Sequence, residues 1–230
     1  PSGGSQFDYF VDQQTGQGDG DIVGDGDLNP GFQVHFDDNG SASNIDGNLS
    51  FRFRIAKDGS NYYMVGIDAD LDGAIDVYIR SDTTNSPDVE IVANGGGLNI
   101  SPSTSDLGGV LSTAFTPVVN SIAVTSIDTS ATVDLDGAGD PDVYVNVSLP
   151  FAELVSALSG LGITLTDADP LRYAVATSVN GSTFNQDIAG LPKDYDAAAT
   201  YVSSGAFSDP VNMDGSIAPV QSGTPVINDL

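Results

Sequence analysis

The stretch LSFRFRI at residues 49–55 alternates without a break. Leu49, Phe51, Phe53 and Ile55 fall on one side of an extended chain, and Ser50, Arg52 and Arg54 on the other. A period of two is the signature of a strand with one face buried, and a helix would scatter these residues around its circumference. The theme recurs. Tyr63, Val65 and Ile67 continue it after a turn at KDGSN, Val77 and Ile79 follow an Asp-rich loop, and Val89 and Ile91 precede the glycine run Gly95 to Gly97. Further strands are expected near 118–126, 129–134, 142–149, 171–179 and 199–207, punctuated by Gly, Asn, Asp and Pro. One segment breaks the pattern. In PFAELVSALSGLG, Phe151, Leu154, Val155 and Leu158 have helical spacing, Pro150 suits the first position and Gly160 the exit. The expectation is an all-β chain, an antiparallel β-sandwich of jelly-roll-like form, with one short helix near 150–159. The whole of 1–230 reads as one domain, with extended segments at about 1–15 and 209–230.

Between two of the apolar runs lies GIDADLDGAIDVYI, from Gly66 to Ile79. It places Asp68, Asp70, Asp72 and Asp76 within nine residues. Like charges so close repel, and a bound cation offsets them. The spacing matches the first nine positions of an EF-hand-type loop: alternating carboxylates point inward, Gly73 allows the sharp turn, and the Ala74 carbonyl can add a ligand. Ile79 stands where such a loop carries its bidentate Glu, and the flanks are strand-like. The reading is a Ca2+ loop between strands with fewer ligands. The plain alternative is an Asp-rich surface turn without metal. A second copy, VDLDGAGDPDVYV, repeats DLDG and DVY. Aligned on those words, Asp134 and Asp136 match Asp70 and Asp72, and Asp142 matches Asp76 with two residues inserted. Asp140 is a further candidate ligand. A third cluster, GDGDIVGDGDLNPG, offers Asp19, Asp21, Asp25 and Asp27, against the alternative of an acidic turn. FDDNGSASNIDGN reads as hairpin turns.

The balance of charge narrows the partners. The net charge is −26 with only six Lys and Arg, which argues against nucleic acid and against an anionic membrane surface. No apolar run is long enough to span a bilayer. Thirty of the 32 acids are Asp, the short carboxylate suited to turns and compact oxygen cages, whereas a merely salt-adapted surface would use Glu as well. The chain lacks Cys, so disulfides and thiol chemistry are excluded, and bound calcium is the natural substitute staple in an extracellular setting. Its one His, His35, sits in the strand-like FQVHFDD and reads as a strand residue, not a catalytic one. Neither a G-x-S-x-G nucleophile motif nor a phosphate loop is present. Carboxylates are in such excess that their presence does not point to glycoside hydrolysis, so the expectation is a protein that is not an enzyme.

FRFRI at 51–55, GIDADLDGAIDVYI, VDLDGAGDPDVYVNVSLPFAEL and LRYAVATSVNGSTFNQDIAG at 171–190 together resemble a family of exported bacterial proteins. Many of its members carry PEP-CTERM-type sorting tails. The resemblance covers roughly 45–190 and implies export and a surface or matrix setting, with no activity attached. The chain departs from the pattern in ending VINDL. Two functions are carried forward. The first is a calcium-stabilised extracellular structural protein, a subunit of a cell-surface matrix or filament. In it the apolar segment Gln6–Val11 adds to a sheet edge of another copy, head to tail. The second is a calcium-dependent carbohydrate-binding module with a polysaccharide partner, which would present a row of aromatics on an exposed sheet face.

Overall fold

The computed structural model describes residues 20–24, 30–38, 40, 42–57, 62–82, 88–112, 122–126, 134, 135, 137, 139, 142–184 and 186–213. Among these described residues ten strands are formed: β1 Phe32–Asp37, β2 Asn48–Ile55, β3 Tyr62–Asp68, β4 Val77–Asp82, β5 Asp88–Asn94, β6 Leu107–Ser112, β7 Ile122–Ser126, β8 Val143–Pro150, β9 Arg172–Ser178 and β10 Asp187–Ile188. They make two antiparallel sheets, one in the order β1-β2-β8-β7 and the other β10-β9-β3-β4-β5-β6. The all-β sandwich follows directly from the alternation. Leu49, Phe51, Phe53 and Ile55 of β2 are buried together with Val145, Val147 and Leu149 of β8, and they face Tyr63, Val65, Ile67, Val77, Ile79, Val89 and Ile91 of the larger sheet. Rings meet across the gap, Phe53 to Tyr63 at 5.5 Å and Phe51 to Tyr173 at 5.7 Å. Truncating a core ring such as Phe51 to Ala costs about 3–5 kcal/mol. His35 is an exposed strand residue, and residues 38–47 connect β1 to β2, as the turn signals there required.

The larger sheet is covered on its other face as well. Met64, Tyr78, Val92, Ala174 and Ala176 are buried beneath Phe184, Leu191, Tyr201 and Phe207. Six of the seven residues of β3 are therefore buried, and its sequence YYMVGID shows no polar face. This covering layer corrects one expectation. Residues 199–207 do not form a strand: Tyr201–Ser204 is a helical turn, α2, and only Phe207 makes a β-bridge, to Ala174. Thr200 caps the turn by accepting from the Ser203 N–H at 3.1 Å, and Gly205 leaves it at φ 81°. That cap and exit outweigh the weak β tendency of Tyr201 and Val202.

The expected helix is present as α1, Phe151–Gly160, with Phe151, Leu154 and Leu158 packed into the main core. Pro150 is its N-cap, and the left-handed exit falls at Gly162, not Gly160. Residues 209–213, read as the start of an extended tail, are docked: Val211 bridges Leu171, and Met213 joins the core. The segments 1–19 and 214–230, and the expected strand at 129–134 apart from Asp134, lie outside the described residues. Among the described residues no helix is long and apolar enough to cross a membrane.

Candidate metal centre

The loop from Asp68 to Asp76 joins β3 to β4, and three features lock it onto the sheet. Ile75 is fully buried over Gly66, where a Cβ would come within 2.5 Å of its Cδ1, so any larger residue there would have to displace the Ile75 side chain. The Ile75 N–H donates to the Asn99 carbonyl at 2.8 Å, and its own carbonyl accepts from Asn94 Nδ2 at 3.3 Å. Asn99 is itself buried, and its Oδ1 accepts from Tyr78 Oη at 2.7 Å. Within the loop, Leu71 and Gly73 adopt left-handed backbone at φ 62° and 93°. The turn closes on carboxylates. Gly73 N–H donates to Asp68 Oδ2 at 3.1 Å, Ala69 N–H to Asp76 Oδ2 at 2.8 Å, and Asp72 N–H to Asp70 Oδ1 at 3.1 Å.

Asp68, Asp70 and Asp76 converge, each offering an oxygen within 4.8 Å of the others. Two oxygens on opposite sides of a Ca2+ at about 2.4 Å would be separated by about that distance. Asp68 is fully buried, and among the described residues its Oδ1 has no hydrogen-bond partner. The nearest cation is Arg172, whose Nη1 lies 3.9 Å from Asp68 Oδ2. Burial pushes both Asp68 and Asp76 up to about 6. The negative charge of Asp76 adds to the effect at Asp68, and that of Asp70 at Asp76, while the backbone N–H groups oppose it. An unpartnered buried oxygen among three acids is costly unless something positive meets it. Asp72, expected as a ligand, is exposed and outside the converging trio. Its Oδ1 accepts from the N–H of Ala74 at 2.8 Å.

At its described positions the second acidic loop repeats this turn at a constant offset, and it corrects the sequence alignment, which had two residues inserted. Asp134 stands for Asp68, Leu135 for Ala69, Gly137 for Leu71, Gly139 for Gly73 and Asp142 for Asp76. Gly139 N–H donates to Asp134 Oδ2 at 2.7 Å, and Leu135 N–H to Asp142 Oδ1 at 3.2 Å. Gly137 and Gly139 take φ 73° and 95°, close to their counterparts. Yet the charges are met differently. The Arg54 guanidinium reaches Asp142 Oδ2 through Nε at 2.8 Å and Nη2 at 2.7 Å, both side chains fully buried. Asp134 Oδ1 accepts from Gly137 N–H at 2.7 Å, so it has the partner that Asp68 Oδ1 lacks. The alternation places Arg54 on the side of β2 opposite its apolar residues, yet Arg54 is fully buried. The missed signal was its register, opposite Tyr144 in β8, two residues from Asp142. Asp136 and Asp140 lie outside the described residues.

Of the third cluster, Asp21 is buried, in a segment that docks beside the end of β2. Its carbonyl accepts from Ala56 N–H at 2.9 Å, and the next residue, Ile22, donates its N–H to Asp187 Oδ2 at 2.7 Å. Asp19, Asp25 and Asp27 lie outside the described residues. No family model, curated protein or solved structure matches the chain.

Proposed function

We propose that this chain is a calcium-stabilised structural protein of the cell surface or extracellular matrix, in which one Ca2+ staples the β3–β4 turn to the larger sheet. The observation that carries the metal is the buried, unpartnered Oδ1 of Asp68, set among the oxygens of Asp70 and Asp76. Oxygen-only ligands suit a hard cation, and carboxylates on a loop pinned by Ile75 and Asn99 suit a fixed, structural ion. The second loop serves the same turn with Arg54 in place of a metal. With no cysteine in the chain, such cross-ties do the work that disulfides do elsewhere. The matrix setting rests on the resemblance of the quoted segments to exported surface proteins.

The carbohydrate-binding reading has less behind it. On the outer face of β2 and β8, Ser50 meets Ser148 and Arg52 meets Asn146. The one described aromatic there, Tyr144, is covered by the Arg52 guanidinium at 5.0 Å. Elemental analysis and calorimetry of the full chain test the proposal. Bound calcium and a melting temperature that falls in chelator and recovers with Ca2+ are expected. An unchanged melting curve in chelator, with no metal found, overturns the metal. A full chain that stays monomeric by light scattering at every calcium concentration overturns the self-assembling form of the proposal.

A further inference from the structure

The chain contains five Asn-x-Ser triplets, beginning at Asn39, Asn48, Asn99, Asn146 and Asn180. In an exported protein this triplet is an acceptor for an N-linked saccharide when the Asn amide is reachable and the hydroxyl two residues on can fold back to it. Asn39 lies outside the described residues, and three of the others fail on geometry. Asn99 is buried, with its Nδ2 given to the Gly97 carbonyl at 2.8 Å. Asn48 and Asn146 lie in strands, where side chains two residues apart stand about 7 Å from each other. Their partner hydroxyls, Ser50 and Ser148, bond one another at 2.9 Å.

Asn180 differs. It follows β9 in the turn Asn180-Gly181-Ser182. Its Oδ1 accepts from Ser182 N–H at 3.0 Å, Ser182 Oγ at 2.9 Å and Thr183 Oγ1 at 3.2 Å. Three donors on one oxygen fix the amide plane. Among the described residues, nothing accepts from its Nδ2. The turn is held from below by Arg80, which donates to the Gly181 carbonyl, so the acceptor sits on a firm base.

We propose that Asn180 is a glycosylation site, taking an N-linked saccharide from a polyisoprenyl-pyrophosphate donor. Hydrogen bonds to Oδ1 draw electron density onto the oxygen and acidify the N–H that has to lose its proton. Nδ2 forms a bond to the anomeric carbon of the sugar as the carbon–oxygen bond to the pyrophosphate breaks. The lipid pyrophosphate leaves with the electron pair, and the amide proton passes to a carboxylate base of the transferase. The inference rests on the exported setting proposed above but not on the metal. Tyr62 pairs with Ser178 and Asp68 with Arg172, so the turn lies at the far end of β3 from the acidic loop, about 20 Å away.

The test incubates the folded full chain with a purified oligosaccharyltransferase and a synthetic lipid-pyrophosphate saccharide, followed by peptide mass mapping. The added saccharide mass is expected on the peptide containing Asn180 and on none containing Asn48, Asn99 or Asn146. Asn180→Gln and Ser182→Ala should each abolish it, and Ser182→Thr should keep it. The urea-unfolded chain should gain saccharide at the strand triplets as well. A folded chain unmodified at Asn180, under conditions where a free peptide of the same triplet is modified, overturns the proposal. So does equal modification of Asn48 or Asn146 in the folded chain.

Discussion

Arg54 and Asp142 form a fully buried ion pair at the position where the sister loop brings Asp76 towards Asp68 and Asp70. The same backbone turn is thus neutralised in two ways within one chain, by a side chain in the smaller sheet and by a proposed ion in the larger. Arg54→Met should leave Asp142 buried and uncompensated, at a cost of about 3–5 kcal/mol. Adding Asp142→Asn should recover part of that loss. Urea denaturation of the two variants, in chelator so that calcium plays no part, measures both.

Asp68→Asn separates the ion from the fold. In calcium it should lose the metal-induced rise in melting temperature. In chelator it should be at least as stable as the parent, because it removes a buried charge whose Oδ1 has no partner. A variant much less stable than the parent in chelator would show that the Asp68 carboxylate serves the bare fold instead.

The pH dependence follows from Asp68 and Asp76, both raised to about 6 from 3.8. Without metal, the folded state binds more protons than the unfolded chain between about 4 and 6. These two groups therefore add stability as pH falls through 6 and withdraw it as pH rises. Protons compete with calcium over the same window. The gap in melting temperature between calcium-loaded and chelated protein should be wide at pH 7 and narrow at pH 5. Scanning calorimetry of both forms at the two values would reveal a constant gap if the carboxylates are not the ligands.

Gly73 adopts φ 93°, and an added Cβ would meet Val202 of α2 at 3.3 Å. Gly73→Ala should cost about 1–3 kcal/mol through backbone strain. It should also weaken calcium binding, although every carboxylate remains. Isothermal titration of the variant against the parent checks this, with equal affinities counting against the loop geometry described here.

Much of the sandwich was legible because alternation reports a single buried face. Leu49, Phe51, Phe53 and Ile55, Val77 with Ile79 and Val89 with Ile91 all went where the pattern sent them. The helix was legible from Phe151, Leu154 and Leu158. The covering layer was not. Phe184, Leu191, Tyr201 and Phe207 are spread through turns with no period, and burial by irregular chain leaves no pattern to read. At the acidic loops, residue type and spacing singled out Asp68, Asp70 and Asp76, which the fold brings together, and Asp72, which stands outside that trio. The inward or outward turn of a carboxylate depends on which backbone N–H it accepts, and Asp72 accepts from Ala74. The repeat was visible as words but misaligned. Matching DLDG to DLDG overrides the true equivalence, which follows the left-handed positions at Leu71 and Gly137. Arg54 could not be assigned from its own strand, because its partner arrives from a loop far along the chain.

The middle position of the larger sheet bears on how this chain can drift over evolutionary time. A strand such as β2 can change at Ser50 or Arg52 without disturbing its inner face, so alternate positions there are open to substitution, with buried Arg54 the exception. In β3, consecutive residues press on different layers: Met64 on the covering layer, Val65 on the facing sheet, Gly66 on Ile75. No such outlet exists there, and β9 is buried in the same way. Variation among descendants should therefore be periodic in β2 and suppressed at every position through β3 and β9. β3 and β9 would then diverge more slowly than the β2 strand packed against them.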